Sequence, residues 1–344
     1  MNLWRRRIAG PNRPAPHAGL SLLAALALYP AGAESPPDPP PLVPPVPAEQ
    51  HRKPVSQADL SFWLNNMVAH HRFSLEEVRA ATGLDPGVVR EALERLAISP
   101  GGFTPPKDRL RILPYPGGRH PRSGFLEGAV DPQRESKMSV FIPWDPSAYV
   151  VVDLPEAIWS NLGLSYLAHT HVPTIWSEAG VALDRLEWDR SQEGRLTLHR
   201  RLPNGIAFEA AAVSLEDHVR MRLKLTNGTG SGLTGLRVQM CVMLRGAAEF
   251  AEAGDEHRVL RPPFAACRST RGDRWIITGW EPIQRAWANP PVPCIHADPQ
   301  FPDCAAGSTV AVNGWLSFYS GSDLDAELER ITALDWASNF PGAD

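Results

Sequence analysis

Hydrophobic and polar positions alternate most cleanly in HVRMRLKLTN, residues 218–227, where Val219, Met221, Leu223 and Leu225 interleave with Arg220, Arg222 and Lys224. Successive side chains of a strand point to opposite faces, so this period of two predicts a strand with one buried and one wet face. GRLTLHRRLPNGIAFEAAAV (194–213) predicts two more strands, joined at Pro203-Asn204-Gly205 as a hairpin. LRVQMCVML (236–244) follows the glycine-rich NGTGSG turn, and RWIITGW (274–280) and NGWLSFYS (313–320) continue the pattern. DLDAELERITAL (323–334) has a helical period and predicts a closing helix. Successive hairpins without βαβ alternation predict a mainly β fold, a large antiparallel β-sandwich over residues 109–336.

Upstream, the pattern changes to helices. Residues 56–99 predict three: SQADLSFWLNNMVAHH, then FSLEEVRAATGL with Ser74 as N-cap and Glu77 three residues on, then DPGVVREALERLAIS opened by Asp85 and Pro86. Helix, glycine-containing turn and helix together resemble the helix-turn-helix of bacterial regulators. The segment nonetheless carries four Arg and no Lys against six acids, a net charge of −2. Groove binding needs a positive surplus, so no nucleic-acid partner is expected, and the segment reads as a small module that packs on the main domain or on a partner.

The first hundred residues hold two further changes of composition. Arg5, Arg6, Arg7 and Arg13 precede an apolar run, AGLSLLAALAL (18–28), and the small-residue pattern Ala31-Gly32-Ala33. This is the order of an export signal over residues 1–33, cleaved after Ala33. The run is too short to span a bilayer stably, so a secreted or periplasmic protein without stable membrane insertion is expected. Residues 34–55 are a proline-rich linker, with nine prolines among the nineteen residues 36–54, which favours extended geometry over a core.

Bulk composition narrows the function classes. The chain has 344 residues, 43% hydrophobic and 21% charged, and a net charge of −4. That length can bury a large core, and the mild charge argues against a polyanionic partner. There is no phosphate-binding loop, dinucleotide fingerprint or fixed-period repeat, so no cofactor is expected. Oligomeric state is not legible.

VRMRLKLTNGTGSGLTGLRVQMCVMLRG (219–246) resembles the strand, Thr-Asn turn and strand of galactose-mutarotase-like supersandwich domains, which occur in aldose epimerases, some polysaccharide lyases and glycosidase accessory domains. The longer stretch from PYPGGRHPRSGFLEGAVDPQRE to WLSFYSG resembles an uncharacterised family of secreted bacterial proteins. The resemblance implies a supersandwich with a saccharide site on its concave face. Mutarotases place a histidine in a Gly-x-His context after this strand pair, whereas this chain has Arg245-Gly246-Ala247, which departs from the usual epimerase mechanism.

Three stretches carry candidate chemistry. In LAHTHVPTIW (167–176), His169 and His171 stand two apart, which on a strand puts both imidazoles on one face for proton transfer, with Trp176 close behind as a ligand contact. His-x-His lacks the third ligand a zinc site needs, so no metal is assigned. ITGWEPIQRAWANPPVPCIHADPQFPDC (277–304) gathers Trp280, Glu281, Arg285, Trp287, His296 and Asp298 in a proline-rich segment that reads as largely loop. Indole faces suit the C–H side of a sugar ring while Arg, His and carboxylates meet its hydroxyls, with Glu281, Asp298 and His296 as acid–base candidates. GGRHPRSGFLEGAVDPQRE (117–135) adds Arg119, His120 and Arg122 as a clamp for a sugar carboxylate.

Four cysteines in an exported chain favour disulfides. Cys294 and Cys304 are expected to bridge and to stiffen the tryptophan-rich segment, while the pairing of Cys241 and Cys267 stays open. The expected function is an exported carbohydrate-active protein, an epimerase, lyase or hydrolase working by His and carboxylate acid–base chemistry on a saccharide. The alternative is a non-catalytic saccharide-binding or interaction module.

Overall fold

The computed structural model describes residues 51–104, 106–117, 135–168, 172–252, 254–289 and 292–342. Its centre is a sandwich of two seven-stranded antiparallel sheets. The first sheet contains β1 (Ile112–Pro114), β2 (Lys137–Ile142), β3 (Asp145–Ser160), β4 (Gly163–Leu167), β8 (Arg237–Met243), β12 (Ile283–Ala288) and β13 (Cys294–Pro299). It runs β1-β2-β3-β8-β13-β12, with β4 also paired to β3. The second contains β5 (Arg195–Arg201), β6 (Ala207–Ser214), β7 (His218–Thr226), β9 (Arg258–Arg261), β10 (Phe264–Arg268), β11 (Arg274–Glu281) and β14 (Thr309–Ser320), in the order β5-β6-β7-β14-β11-β10-β9.

Alternation explains how the two sheets close on each other. Val219, Met221, Leu223 and Leu225 of β7 are fully buried against Val238, Met240 and Val242 of β8 and the other inward residues of the sandwich. Burying each such side chain contributes about 1.5–3 kcal/mol. The turns are tight where glycine permits close approach: a Cβ on Gly228 would lie 2.2 Å from the Gly205 carbonyl oxygen, so the two hairpin ends pack backbone to backbone. Asn227 is buried between them and donates to the carbonyls of Ser231 and Cys304.

The polar face of β7 is covered at Arg220, whereas Lys224 stays 37% exposed as the alternation suggests. Helix α6 (Leu324–Thr332) and the residues after it lie over the outer face of the second sheet, burying Leu324, Ile331 and Trp336 against Trp275, Ile277 and Trp315. Arg220 is accordingly buried, and its guanidinium donates to the carbonyls of Trp336 and Asn339.

Three helices precede the strands: α1 (Gln57–Leu64), which continues as a π-helical turn over Asn65–His70, α2 (Leu75–Thr82) and α3 (Pro86–Arg95). Ser74 and Glu77 form the reciprocal capping box, and Asp85 caps α3 with Pro86 in its first turn. Trp63, Leu64, Met67, Phe73, Val78 and Val89 form a small core of their own. The group is tied to the first sheet: Asn66 Nδ2 donates to the Pro114 carbonyl at 3.0 Å, and His71 Nε2 meets Ser139 Oγ at 2.7 Å among Phe141 and Tyr149. Packing also reaches back into the segment expected to be a spacer, since Arg52 is buried over the Trp63 ring and pairs with Glu187 at 2.7 Å. Two single turns, α4 (Ile175–Glu178) and α5 (Ala248–Ala251), and a 3₁₀ turn over Asp255–His257 complete the helices among the described residues. Among the described residues no helix is long and apolar enough to cross a membrane.

Candidate functional site

The outer face of the first sheet is divided. Toward one end of its strands it is apolar, with Tyr115, Phe141, Tyr149, Val151 and Met243 buried there and His71 of the helical segment packed on Phe141 and Tyr149. Toward the other end a line of buried polar groups crosses the strands, and strand register explains the line. Lys137 of β2 stands opposite Asp153 of β3, and Asp153 opposite Cys241 of β8. Cys294 and Ile295 of β13 face Met243 and Val242, so one further step brings His296 to Cys241, and His296 is paired with Trp287 of β12. Five adjacent strands thus supply one side chain each to a single row.

The local sequence that makes this row is the five-residue alternation Cys294-Ile295-His296-Ala297-Asp298. Ile295 and Ala297 enter the core between the sheets, so Cys294, His296 and Asp298 must project outward. The proline-rich segment read as loop is therefore a strand hairpin, β12 and β13. An irregularity in β3 between Asp153 and Ala157 brings Glu156 to the same place, where Gln239 Nε2 donates to its Oε2 at 2.8 Å.

Distances define the cluster. Lys137 Nζ lies 3.1 Å from Asp153, both buried, and also donates to the carbonyl of Ala168 at 3.2 Å. Cys294 Sγ and His296 Nε2 are 3.1 Å apart. His296 Nδ1 has no hydrogen-bond partner among the described residues and faces Glu156 Oε2 at 3.8 Å and Asp298 Oδ1 at 4.0 Å. Asp298 is saturated by comparison: Oδ1 accepts from the Met240 N–H at 3.0 Å, and Oδ2 accepts from Arg285 Nε at 2.8 Å and Trp287 Nε1 at 2.6 Å. The Trp287 ring is stacked on His296 at 4.0 Å between centroids, with the Arg285 guanidinium 4.6 Å from its own centroid.

These contacts shift the proton affinities of the group. The bond with Cys241 holds the Cys294 thiol low; burial opposes this, and the bond with His296 adds to it. Burial pulls His296 down, but its bond to Cys294 and the charges of Cys294, Glu156 and Asp298 outweigh that and raise it. Glu156 is lifted to about 7 chiefly by burial, against the pull of His296. The Cys241 thiol, bonded to Cys294 and buried, is driven up. Two sulfurs, one imidazole and nearby carboxylates are thus the side chains with metal-ligand chemistry that gather among the described residues.

Of the candidates read from the sequence, His296, Asp298, Arg285 and Trp287 come together here. Glu281 does not: it is exposed at the end of β11, on the outer face of the second sheet and so across the sandwich from His296. Trp280 is a core residue, 1% exposed and packed so closely on Gly314 that a Cβ there would lie 2.5 Å from the indole. Trp176 is buried as well, donating Nε1 to the Ser165 carbonyl at 2.7 Å. Arg119, His120, Arg122, His169 and His171 lie outside the described residues.

The expected bridge between Cys294 and Cys304 is not formed. All four cysteines are free, because Cys294 is turned onto Cys241 and His296 while Cys304 is held in an isolated bridge to Leu233. Cys241 in the first sheet and Cys267 in the second do not pair with each other. Lys137, Asp153, Glu156 and Gln239 were not singled out from the sequence, and Cys241 was considered only for a bridge. Alternation in KMSVFI (137–142) and RVQMCVM (237–243) marks the outward positions of Lys137, Gln239 and Cys241, but nothing local marks the strand irregularity that delivers Glu156.

A separate cleft of about 250 Å³ lies where α1, β1 and β5 meet. Arg109, Arg111, Arg190 and Arg195 line it, and two of these are already paired, Arg109 with Asp108 and Arg190 with Asp59. It contains no member of the polar row.

No protein-family model matches the chain, and neither does any curated protein. Among solved structures, the chain is similar to the Slr1438 protein of Synechocystis sp. PCC 6803, at 12% identity over 65% of this chain and 99% of that one, with a TM-score of 0.32.

Proposed function

We propose that the chain is an exported carbohydrate-active protein whose working site is the polar half of the outer face of the first sheet. The observation that carries this reading is convergence: Glu156 and Asp298, from different strands, both stand within 4.0 Å of His296 Nδ1. An acid–base site needs a carboxylate and an imidazole within reach of one substrate atom. Glu156 takes the proton-transfer part, because Asp298 already accepts from three donors. His296 positions it, and Gln239 fixes its Oε2.

The side chains through which a ligand enters are Arg285, 53% exposed, and Trp287 beneath it. A saccharide that draws the guanidinium off the indole gains a flat apolar face for its ring and a donor for its hydroxyls or carboxylate. This lining suits a bound saccharide, and it is the convergence of Glu156 with His296 that favours epimerase, lyase or hydrolase chemistry over the non-catalytic alternative.

The test is a panel of neutral and uronic-acid saccharides titrated onto the exported chain, with binding read by saturation-transfer NMR. Arg285→Ala and Trp287→Ala should each weaken the bound saccharide at least ten-fold, while the exposed Glu281→Gln leaves it unchanged. Equal binding by all three variants and wild type would remove the polar row from the ligand's path.

A further inference from the structure

The middle of the row holds a combination of atoms that proton transfer alone does not require. Cys241 Sγ, Cys294 Sγ and one ring nitrogen of His296 lie within 4.8 Å of one another, all buried, although more than fifty residues separate the two cysteines in the chain. Cys241 also belongs to a second buried triplet, with Asp153 and Glu156, inside the same limit. We propose that Cys241, Cys294 and His296 bind one borderline-soft divalent cation of the zinc class, with the carboxylates of Asp153 and Glu156 beside its fourth position.

Four arguments support the assignment. Tetrahedral zinc, with Zn–S about 2.3 Å and Zn–N about 2.0–2.1 Å, holds its ligand atoms about 3.5–3.8 Å apart. The observed sulfur–nitrogen distance of 3.1 Å and the 4.8 Å limit bracket that spacing, so small side-chain rotations close the shell. Two sulfurs and an imidazole select zinc over calcium or magnesium, which prefer oxygen ligands.

The imidazole is also oriented for ligation. With Nε2 toward the sulfurs, Nδ1 faces Glu156 and Asp298, the carboxylate, imidazole and metal order that fixes ring orientation at metal sites. Finally, three buried carboxylates, Asp153, Glu156 and Asp298, stand against one buried cation, Lys137, and the half-exposed Arg285. A divalent ion joining two thiolates offsets charge that burial otherwise disfavours. The site shares His296 and Glu156 with the saccharide reading but stands on this ligand geometry alone.

The experiment uses the full exported chain, kept reduced, stripped with a chelator and loaded with Zn²⁺ alone. One zinc per chain is expected, and X-ray absorption of the loaded wild type should show two sulfurs at about 2.3 Å with nitrogen or oxygen at about 2.0–2.1 Å. Cys294→Ser and His296→Ala should lose stoichiometric zinc, while Cys267→Ser, altered in the second sheet, retains it. Because the wild-type spectrum reads the shell directly, a variant that fails to fold leaves the test decisive. A shell without sulfur, zinc well below one per chain, wild-type zinc in folded Cys294→Ser, or recovery of Cys241 and Cys294 as a disulfide in protein that takes up no zinc would each overturn the proposal.

Discussion

Lys137 is 1% exposed, an unusual place for an ammonium, and its position is compensated by Asp153 at 3.1 Å and the Ala168 carbonyl at 3.2 Å. Removing one partner of such a pair leaves the other charge buried and uncompensated, at a cost of about 3–5 kcal/mol. Lys137→Met should therefore shift the urea midpoint sharply downward, and Lys137→Met with Asp153→Asn should recover much of the loss; equal midpoints for single and double variants would mean that the pair is not coupled. His70 behaves differently. Burial, helped by the Arg111 charge, lowers its pKa to about 4, so the fold holds the neutral ring while the unfolded chain protonates it near 6.5. Protons then favour the unfolded chain as pH falls: this contribution to stability is whole above about pH 6.5 and is lost progressively down to about 4. In His70→Gln the pH dependence of unfolding should flatten in that window, and an unchanged slope would contradict the assignment.

At the scale of elements, the β12–β13 hairpin decides where the chemistry sits. β13 is laddered to β8 at only two positions, Cys294 with Met243 and Ile295 with Val242; beyond them the Asp298 carboxylate accepts the Met240 N–H in place of a strand carbonyl. The same carboxylate ties β12 through Arg285 and Trp287. Asp298→Ala should therefore speed amide exchange across residues 283–299 while the β6–β7–β14 core keeps its protection. Uniform loss of protection would show that the hairpin is not a separable unit. This hairpin was also the element least legible in the sequence. Its prolines argue for loop, and a short strand carrying Cys, His and Asp on one face lacks the length and apolar weight of β7, whose Val219-to-Leu225 alternation reads directly. The inward Ile295 and Ala297 were the available signal. Glu156 had none, because a strand irregularity moves it out of the period of two that would have placed it.

For the whole molecule, hairpin succession and the closing helix were enough to give two antiparallel sheets, since each inward face must find another apolar face. What covers the outer faces was not readable, because coverage depends on long-range packing: the arginine face of β7 lies under α6 and the residues following it, and the helices before β1 shield half of the first sheet. Among the described residues that division leaves a polar half-face on the sandwich where a carboxylate and an imidazole converge, the proposed place of catalysis. The direct measurement compares wild type with Glu156→Gln on the saccharide that binds, recording turnover and dissociation constant together. Turnover should fall by about 10²–10⁴-fold, the usual worth of a positioned acid or base, with the dissociation constant changed less than about ten-fold. Turnover equal to wild type in Glu156→Gln would contradict catalysis at this place.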